Sequence, residues 1–164
     1  MIRRLACIAT PLVVAFAALT GWALEWSDVA VLETQTGDGS SRVTRVWYVT
    51  GEQQILFVEA GGEDSPWLDD VRVHPVLHFE AEGRSETLCA IIRPNPDGHR
   101  DIRQRLRAKY GVRDLWIGWL FDTSTSVEVA LVPPARLIHG VRRGSPVQPS
   151  AEMCRRSRTA YDAG

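Results

Sequence analysis

The sequence predicts a small α+β or mainly β domain of about six antiparallel strands with short helices. Three observations lead to this fold class. The 164 residues fall within the usual size of one domain, with 45% hydrophobic and 24% charged residues. Segments rich in β-branched and aromatic residues recur between clusters of turn formers. One helical pattern follows the third strand and two precede the last, which excludes a doubly wound parallel sheet.

Three strands are predicted in the first half of the domain. Residues 28–34 favour a strand, and the turn formers at 36–41 then favour a hairpin. The β-branched and aromatic run at 42–50 ends at Gly51 and resumes at 54–60, which is typical of two antiparallel strands joined by a tight turn.

The second half mixes helices with strands. Pro66 and Pro75 bracket a short predicted helix, because proline is tolerated at a helix start and cannot continue a helix. Ile102 and Leu106 lie four apart among charged residues, which indicates an amphipathic helix that stops at Gly111. The remaining predicted elements are a hairpin over 76–93, a helix over 114–121 and a closing strand over 126–132.

The N-terminal segment, residues 1–26, predicts a membrane anchor or a signal segment. Arg3 and Arg4 precede an uncharged stretch over 5–24, which at about 1.5 Å per residue spans roughly 30 Å as a helix. Positive charge before this stretch and acidic residues after it favour single-pass membrane localisation with the domain outside the cytoplasm. A cleaved signal peptide is the alternative.

Charge and cysteine content exclude several classes. The formal net charge is −1, and no basic stripe with interleaved aromatic residues is present, so nucleic acid is not an expected partner. The polar, arginine-rich residues 135–164 are expected to hold little fixed structure. Three scattered cysteines are not a disulfide framework, and we expect Cys89 and Cys154 to be reduced thiols, with a bridge between them as the alternative in an oxidising compartment.

Three pieces of the sequence, taken in order, resemble one family. They are Arg42-x-Thr44-Arg-Val-Trp, then Ala-Gly61-Gly62 leading to Pro-Trp67-Leu and His-Pro, then Lys-Tyr-Gly with Val-Glu-Val-Ala-Leu-Val-Pro at 127–133. Together they are similar to the deazaflavin-dependent nitroreductase family, whose members share the split β-barrel of pyridoxamine-phosphate-oxidase-like flavin binders. The resemblance covers residues 27–134, and it implies that this segment is one split-barrel domain.

The resemblance also implies a cofactor site. Ser41, Arg42 and Thr44 would hold the phosphate end, and guanidinium groups pair well with phosphate. Gly61, Gly62 and Trp67 would lie along the ring, which is either FMN or a deazaflavin. The alternatives are a solvated strand for the arginine, a flexible loop for the glycines, a packing role for the tryptophan and an empty site.

Other residues were weighed for chemistry. Pro75 separates His74 from His78, so no metal site is predicted. Asp69 and Asp70 fall in the first turns of a helix, where a carboxylate interacts favourably with the positive end of the helix dipole. Tyr48 and Tyr110 could donate protons, yet such aromatic residues are usually structural, and no catalytic residue is assigned. The turn before Arg42 contains Asp38, which would repel phosphate.

The resemblance implies an oxidoreductase. It would transfer a hydride between a flavin-type ring and a small planar acceptor such as a quinone or a nitroaromatic compound. Homodimers are the default expectation for such barrels. The rival hypothesis is a membrane-tethered, non-enzymatic ligand-binding module with the same barrel, and the acidic turn favours this rival.

Overall fold

The computed structural model describes residues 11, 13–21, 28–52, 55–134 and 150–162. Within these residues, six strands form a closed antiparallel barrel with neighbour order β1-β2-β3-β6-β5-β4. The strands are β1 (Val29–Gln35), β2 (Ser41–Thr50), β3 (Leu56–Ala60), β4 (Val76–Ala81), β5 (Arg84–Ile92) and β6 (Val127–Val132). Short helices accompany them: α1 (Pro66–Val73), α2 (Asp97–Tyr110), α3 (Val112–Leu120) and α4 (Ala151–Asp162). The predicted fold class, six antiparallel strands with short helices, is confirmed.

The strands close into a barrel because alternate residues supply an apolar inner face. On β2, for example, Val46 and Tyr48 point into the barrel, whereas Trp47 lies on the outside and stacks on Tyr110 of α2 with ring centroids 4.4 Å apart. The inner core contains buried residues from every strand, among them Ala30, Leu32, Val46, Leu56, Val58, Leu77, Phe79, Leu88, Val129 and Leu131. This alternation sets which side chains point into the barrel and which lie on its outer surface.

Helix α1 closes one end of the barrel. It begins at Pro66 and ends at Val73, two residues before Pro75, so the two prolines bound it as predicted. Its buried face contains Trp67, Leu68 and Val71, which join the inner core. We call this end, formed by α1 and by the loops at 36–40, 61–65 and 74–75, the helix end.

A second apolar layer lies outside the barrel, where α2 and α4 cover β5, β6 and β3. The buried positions of α2 recur every four residues at Ile102, Leu106 and Tyr110. Gly111 ends the helix with a φ of +54°, a conformation that glycine adopts without steric cost. The amphipathic helix predicted from Ile102 and Leu106 is therefore confirmed.

Buried carboxylates anchor α2 to the barrel. Glu128 on β6 is fully buried and accepts a hydrogen bond of 2.5 Å from Arg93 Nη1. Burial raises the pKa of Glu128, and the neighbouring Arg93 guanidinium opposes that shift. Asp114 of α3 is also buried, and it pairs with Arg103 and Arg107 of α2. The second oxygen of Glu128, Oε2, makes no hydrogen bond among the described residues and lies 3.9 Å from Arg105 Nε of α2. We assign these ion pairs to structure, because each joins α2 or the end of β5 to a neighbouring element.

The C-terminal segment differs from its prediction. Residues 151–162 form α4, although a segment without fixed structure was expected there. Met153, Cys154 and Ser157 share one helix face and are buried against the barrel, so tertiary packing outweighs the polar composition. Residues 135–149, 163 and 164 lie outside the described part of the chain.

Cys89 and Cys154 form a disulfide, which corrects the expectation of two reduced thiols. Their sulfur atoms are bonded, and their Cα atoms lie 5.2 Å apart. The bridge was the alternative in the sequence analysis, and a separation of 65 residues carries no local signal that β5 and α4 meet.

The predicted membrane-spanning helix is also wrong. Among the described residues, none of the helices has the length and apolar character needed to cross a bilayer. Residues 13–21 are helical, and they pack on α3: the rings of Phe16 and Trp116 lie 5.5 Å apart, and Trp116 Nε1 donates to Thr20 Oγ1 at 3.3 Å. The absence of such a span among the described residues contradicts the predicted single-pass membrane localisation. Residues 1–10, 12 and 22–27 of the predicted leader are not described.

Candidate functional site

The helix end contains a polar network that links α1 to two strands. Arg42 Nε donates to Asp70 Oδ2 at 2.7 Å, and Thr34 Oγ1 donates to the same oxygen at 2.8 Å. Asp70 and Thr34 are buried, whereas the Arg42 side chain is 40% exposed. The carboxylate therefore holds one edge of the guanidinium, and within the described residues Nη1 and Nη2 make no hydrogen bond.

The three strand residues predicted to bind phosphate fall on two sides of β2. Arg42 and Thr44 lie on the same face of β2 as the inward residues Val46 and Tyr48, because every second residue of a strand shares a face. They therefore face the helix end from the inside. Ser41 lies on the outer side, where its hydroxyl donates to the Glu33 carboxylate. The structure brings Arg42 close to α1 but directs Ser41 away from it.

The residues predicted to lie along a ring also separate. Gly61 is exposed and has open space where a side chain would begin. Gly62 is buried, and a Cβ atom there would lie 2.7 Å from Asp64 Oδ1, so a larger residue would require the Asp64 side chain to move. Trp67 is 4% exposed and belongs to the inner core, which agrees with the packing role left open for it.

The turn before Arg42 is closed by its own acidic residue. Asp38 Oδ1 accepts a hydrogen bond of 3.0 Å from Ser40 N–H and also accepts from the Thr36 and Ser40 hydroxyls. These hydrogen bonds lower the pKa of Asp38 well below its ordinary value. The N–H groups of Thr36 and Gly39 donate to carbonyls within the turn. The turn therefore presents a carboxylate to solvent, and the N–H groups of Thr36, Gly39 and Ser40 are already bonded within it.

A cavity of about 560 Å³ lies on the outer side of this end. Ser41, Glu33, His74 and His78 are among its lining residues, while Arg42, Thr44 and the two glycines do not line it. The His78 ring nitrogen Nε2 lies 3.0 Å from Ser85 Oγ. No group of three or more metal-ligating side chains occurs in the described part of the chain.

Asp70 is the residue that sequence reasoning missed. The helix-dipole assignment treated it together with Asp69, yet Asp69 is exposed and pairs with Arg72, while Asp70 is buried. A signal was present: Asp70 lies three residues after Trp67 and next to Val71, on the apolar face of α1. A carboxylate on a buried face needs a cation or hydrogen-bond donors.

The opposite end of the barrel contains a second set of ionisable groups, which we call the tyrosine end: Tyr48, Lys109 and Tyr110, with Asp28 and Glu82. Tyr110 Oη lies 2.6 Å from Asp28 O, 3.0 Å from Tyr48 O and 3.2 Å from Tyr48 N. Lys109 Nζ lies 3.6 Å from the centroid of the Tyr48 ring. Burial raises the pKa of Tyr48 to about 12 and also raises that of Tyr110. Burial lowers the pKa of Lys109.

Comparison with known proteins shows the fold. No protein-family model matches the chain, and no curated protein is significantly similar in sequence. A conserved hypothetical protein from Mycobacterium tuberculosis has a similar structure, with a TM-score of 0.51, 18% identity, and coverage of 79% of this chain and 92% of that one. A protein of unknown function from Agrobacterium tumefaciens has a TM-score of 0.50 and 17% identity, over 64% of this chain and 48% of that one.

A third solved structure carries a more specific description. It is a putative pyridoxamine 5'-phosphate oxidase from Listeria innocua, with a TM-score of 0.47, 18% identity, and coverage of 72% of this chain and 94% of that one. At 17 and 18% identity, the similarities to the Mycobacterium tuberculosis and Agrobacterium tumefaciens proteins establish a shared fold.

Proposed function

We propose that this chain is a flavin- or deazaflavin-dependent oxidoreductase of the nitroreductase-like split-barrel class. The observation that carries the proposal is the anchored guanidinium of Arg42. Its Nε is held by the buried carboxylate of Asp70, so its two Nη atoms remain for an anion at the helix end. Asp70 belongs to the helix that directly follows the Gly61-Gly62 loop, which supports a single site at the helix end.

In this proposal the residues of the chain bind and orient the cofactor. Arg42 would pair with a phosphate through its Nη atoms, while Asp70 and Thr34 keep the guanidinium from rotating. Gly61 has room above its backbone for a flat ring. FMN or a deazaflavin, when bound, supplies the hydride chemistry, so the site needs no acid–base pair. Ser41 is the weakest predicted ligand, because it faces the outer side.

The partners follow from the same hypothesis. The acceptor is a small planar quinone or nitroaromatic compound, since a ring at a barrel end can stack only with a flat molecule. A homodimer is proposed as the assembled form. Both expectations rest on the sequence resemblance.

A titration of the purified chain tests the proposal. FMN and the deazaflavin coenzyme are added separately, and binding is followed by quenching of cofactor fluorescence. Because a charge-assisted hydrogen bond contributes about 1.5 to 3 kcal/mol, Arg42→Ala should weaken binding of the preferred cofactor by about tenfold or more. Arg45→Ala is the matched control, because Arg45 lies on the outer side of the same strand. Equal affinities for the two variants would overturn the phosphate assignment.

Turnover is measured separately. The reduced cofactor is mixed with menadione or a nitroaromatic compound in the presence of the protein, and oxidation is followed by absorbance. Protein-dependent oxidation supports the enzyme. Cofactor binding without acceleration contradicts it.

A second candidate is a non-enzymatic binding module that uses the same barrel. The specific observation in its favour is the turn at 36–40, where Asp38 binds the Ser40 N–H and the Thr36 and Ser40 hydroxyls and places a negative charge where a phosphate would lie. A chain that binds neither cofactor in the titration would favour this module.

A further inference from the structure

A separate cavity of about 390 Å³ lies between the end of α1, the end of β5 and α4. Three of its lining residues are arginines: Arg72 from α1, and Arg155 and Arg158 from α4. Its other lining residues are the apolar side chains of Val71, Val73, Pro75, Ala90, Ile92 and Ala151 together with Cys154. We call this cavity the arginine pocket, and no carboxylate belongs to its described lining.

The positive charge of the pocket is only partly balanced. Arg72 pairs with Asp69 at 2.6 Å and Arg155 pairs with Glu152 at 2.5 Å, and both carboxylates are more than half exposed. Arg158 has no carboxylate partner in the described part of the chain, and its Nη2 approaches the backbone oxygen of Ile92 at 3.5 Å. Each exposed pair is weak, so an anion in the pocket would meet a net positive field.

The sequence next to the pocket has the same sign of charge. Residues 135–149, which lead into α4, contain three arginines and no aspartate or glutamate. No carboxylate from this segment can therefore neutralise Arg158.

The wall formed by α4 is held in place by two contacts. The disulfide joins Cys154, itself a lining residue, to Cys89 on β5. One turn further along α4, Ser157 Oγ donates to Pro133 O at 3.1 Å. Arg155 and Arg158 are thus carried on an anchored helix, and an anchored site loses less conformational entropy when a ligand binds.

We propose that the arginine pocket binds a small organic anion with an apolar body, of the kind represented by a medium-chain carboxylate. The apolar lining residues contact the hydrocarbon part of the ligand, and the guanidinium groups pair with its carboxylate. This site is distinct from Arg42 and Asp70 at the helix end, and it does not depend on the proposed redox function.

Calorimetric titration of the full chain with octanoate tests the proposal. Octanoate should bind more tightly than acetate, which lacks the apolar body, and more tightly than octanol, which lacks the charge. Arg158→Ala should weaken octanoate binding by about tenfold, the effect of losing one charge-assisted hydrogen bond. Arg156→Ala is the matched control, because Arg156 lies on the same helix, pairs with Glu152 and does not line the pocket.

Several outcomes would overturn the proposal: no heat with octanoate, equal binding of octanol, or equal loss in the two arginine variants. The pair Cys89→Ser with Cys154→Ser provides an independent test. The loss of the disulfide should weaken octanoate binding severalfold in a chain whose circular dichroism still shows the barrel. Unchanged affinity in that chain contradicts the anchoring of the site by α4. Because Arg158 is exposed, its variant is expected to fold normally.

Discussion

The two ends of the barrel are closed by different chemistry. At the helix end, a buried carboxylate, Asp70, anchors the Nε edge of Arg42, whose side chain is 40% exposed. At the tyrosine end, the hydroxyl of Tyr110 is surrounded by backbone atoms of Asp28 and Tyr48, and Lys109 covers the ring of Tyr48. The polar groups of the tyrosine end are therefore used within the fold, whereas those of the helix end can also engage a ligand.

The two ends show that a polar group is assigned to structure or to function by whether the fold already supplies its partners, and not by its residue type. Both ends contain buried ionisable side chains, Asp70 at one end and Tyr48 and Tyr110 at the other. Among the described residues, the charged groups of the two ends differ: Asp70 holds Arg42 through Nε and leaves the two Nη atoms of that arginine without a hydrogen bond, whereas Lys109 lies against the Tyr48 ring. Variants at the tyrosine end should therefore change stability alone, and variants at the helix end should change stability and cofactor binding together.

The largest expected effect follows from removing the shared carboxylate at the helix end. Asp70→Ala leaves Thr34 without its buried acceptor and Arg42 without its anchor, so the free energy of unfolding should fall by about 3 kcal/mol. Urea denaturation measures this change. Asp69→Ala is the control, and its exposed pair with Arg72 should cost less than about 1 kcal/mol. Equal losses of unfolding free energy in Asp70→Ala and Asp69→Ala would contradict the assignment of a buried, anchoring role to Asp70 alone.

The next largest effect is expected at the tyrosine end. Tyr110→Phe leaves the Tyr48 N–H and two carbonyls without their hydroxyl partner, so unfolding should become easier by about 2 kcal/mol. Tyr161→Phe is the control, because within the described residues its hydroxyl makes no hydrogen bond. Cofactor affinity should remain unchanged in Tyr110→Phe. A large loss of cofactor affinity would show that the tyrosine end takes part in the site.

A smaller effect is expected in alkaline solution. The unfolded chain releases the Tyr48 proton near pH 10, whereas burial raises the pKa in the folded chain to about 12. Between these values the unfolded state binds fewer protons, so stability should fall as the pH rises, by about 1.5 kcal/mol for this group. Chemical denaturation at pH 9 and pH 11 measures the slope, and Tyr48→Phe should reduce it. An identical slope in that variant would assign the effect to other groups.

The smallest effect concerns the lysine that covers Tyr48. Lys109→Met removes a cation–π contact of 3.6 Å at an exposed position, which should cost below about 1 kcal/mol. Arg100→Met is the control on the same helix, since Arg100 is 71% exposed and pairs only with a neighbouring exposed aspartate. Thermal unfolding of both variants compares them. A greater loss in Arg100→Met than in Lys109→Met would contradict the packing assigned to the lysine.

The strands and short helices could be read from the sequence because local patterns dictate them. Alternation across β2, the prolines around α1 and the spacing of Ile102 and Leu106 each act over a few residues. The same local reasoning overestimated the apolar N-terminal stretch, because hydropathy alone does not distinguish a membrane span from a helix that packs on Trp116.

What the sequence determined by itself was therefore the order and type of the elements between residues 28 and 132, whereas the C-terminal helix at 151–162 was not predicted. Only the tertiary structure decided that Asp70 meets Arg42, that Cys89 meets Cys154, and that Ser41 turns away from Arg42's side of the strand. These contacts join residues 28 and 65 positions apart, or depend on which strand face a helix covers. Local propensity carries no information about such distances, because the closure of the barrel brings the partners together.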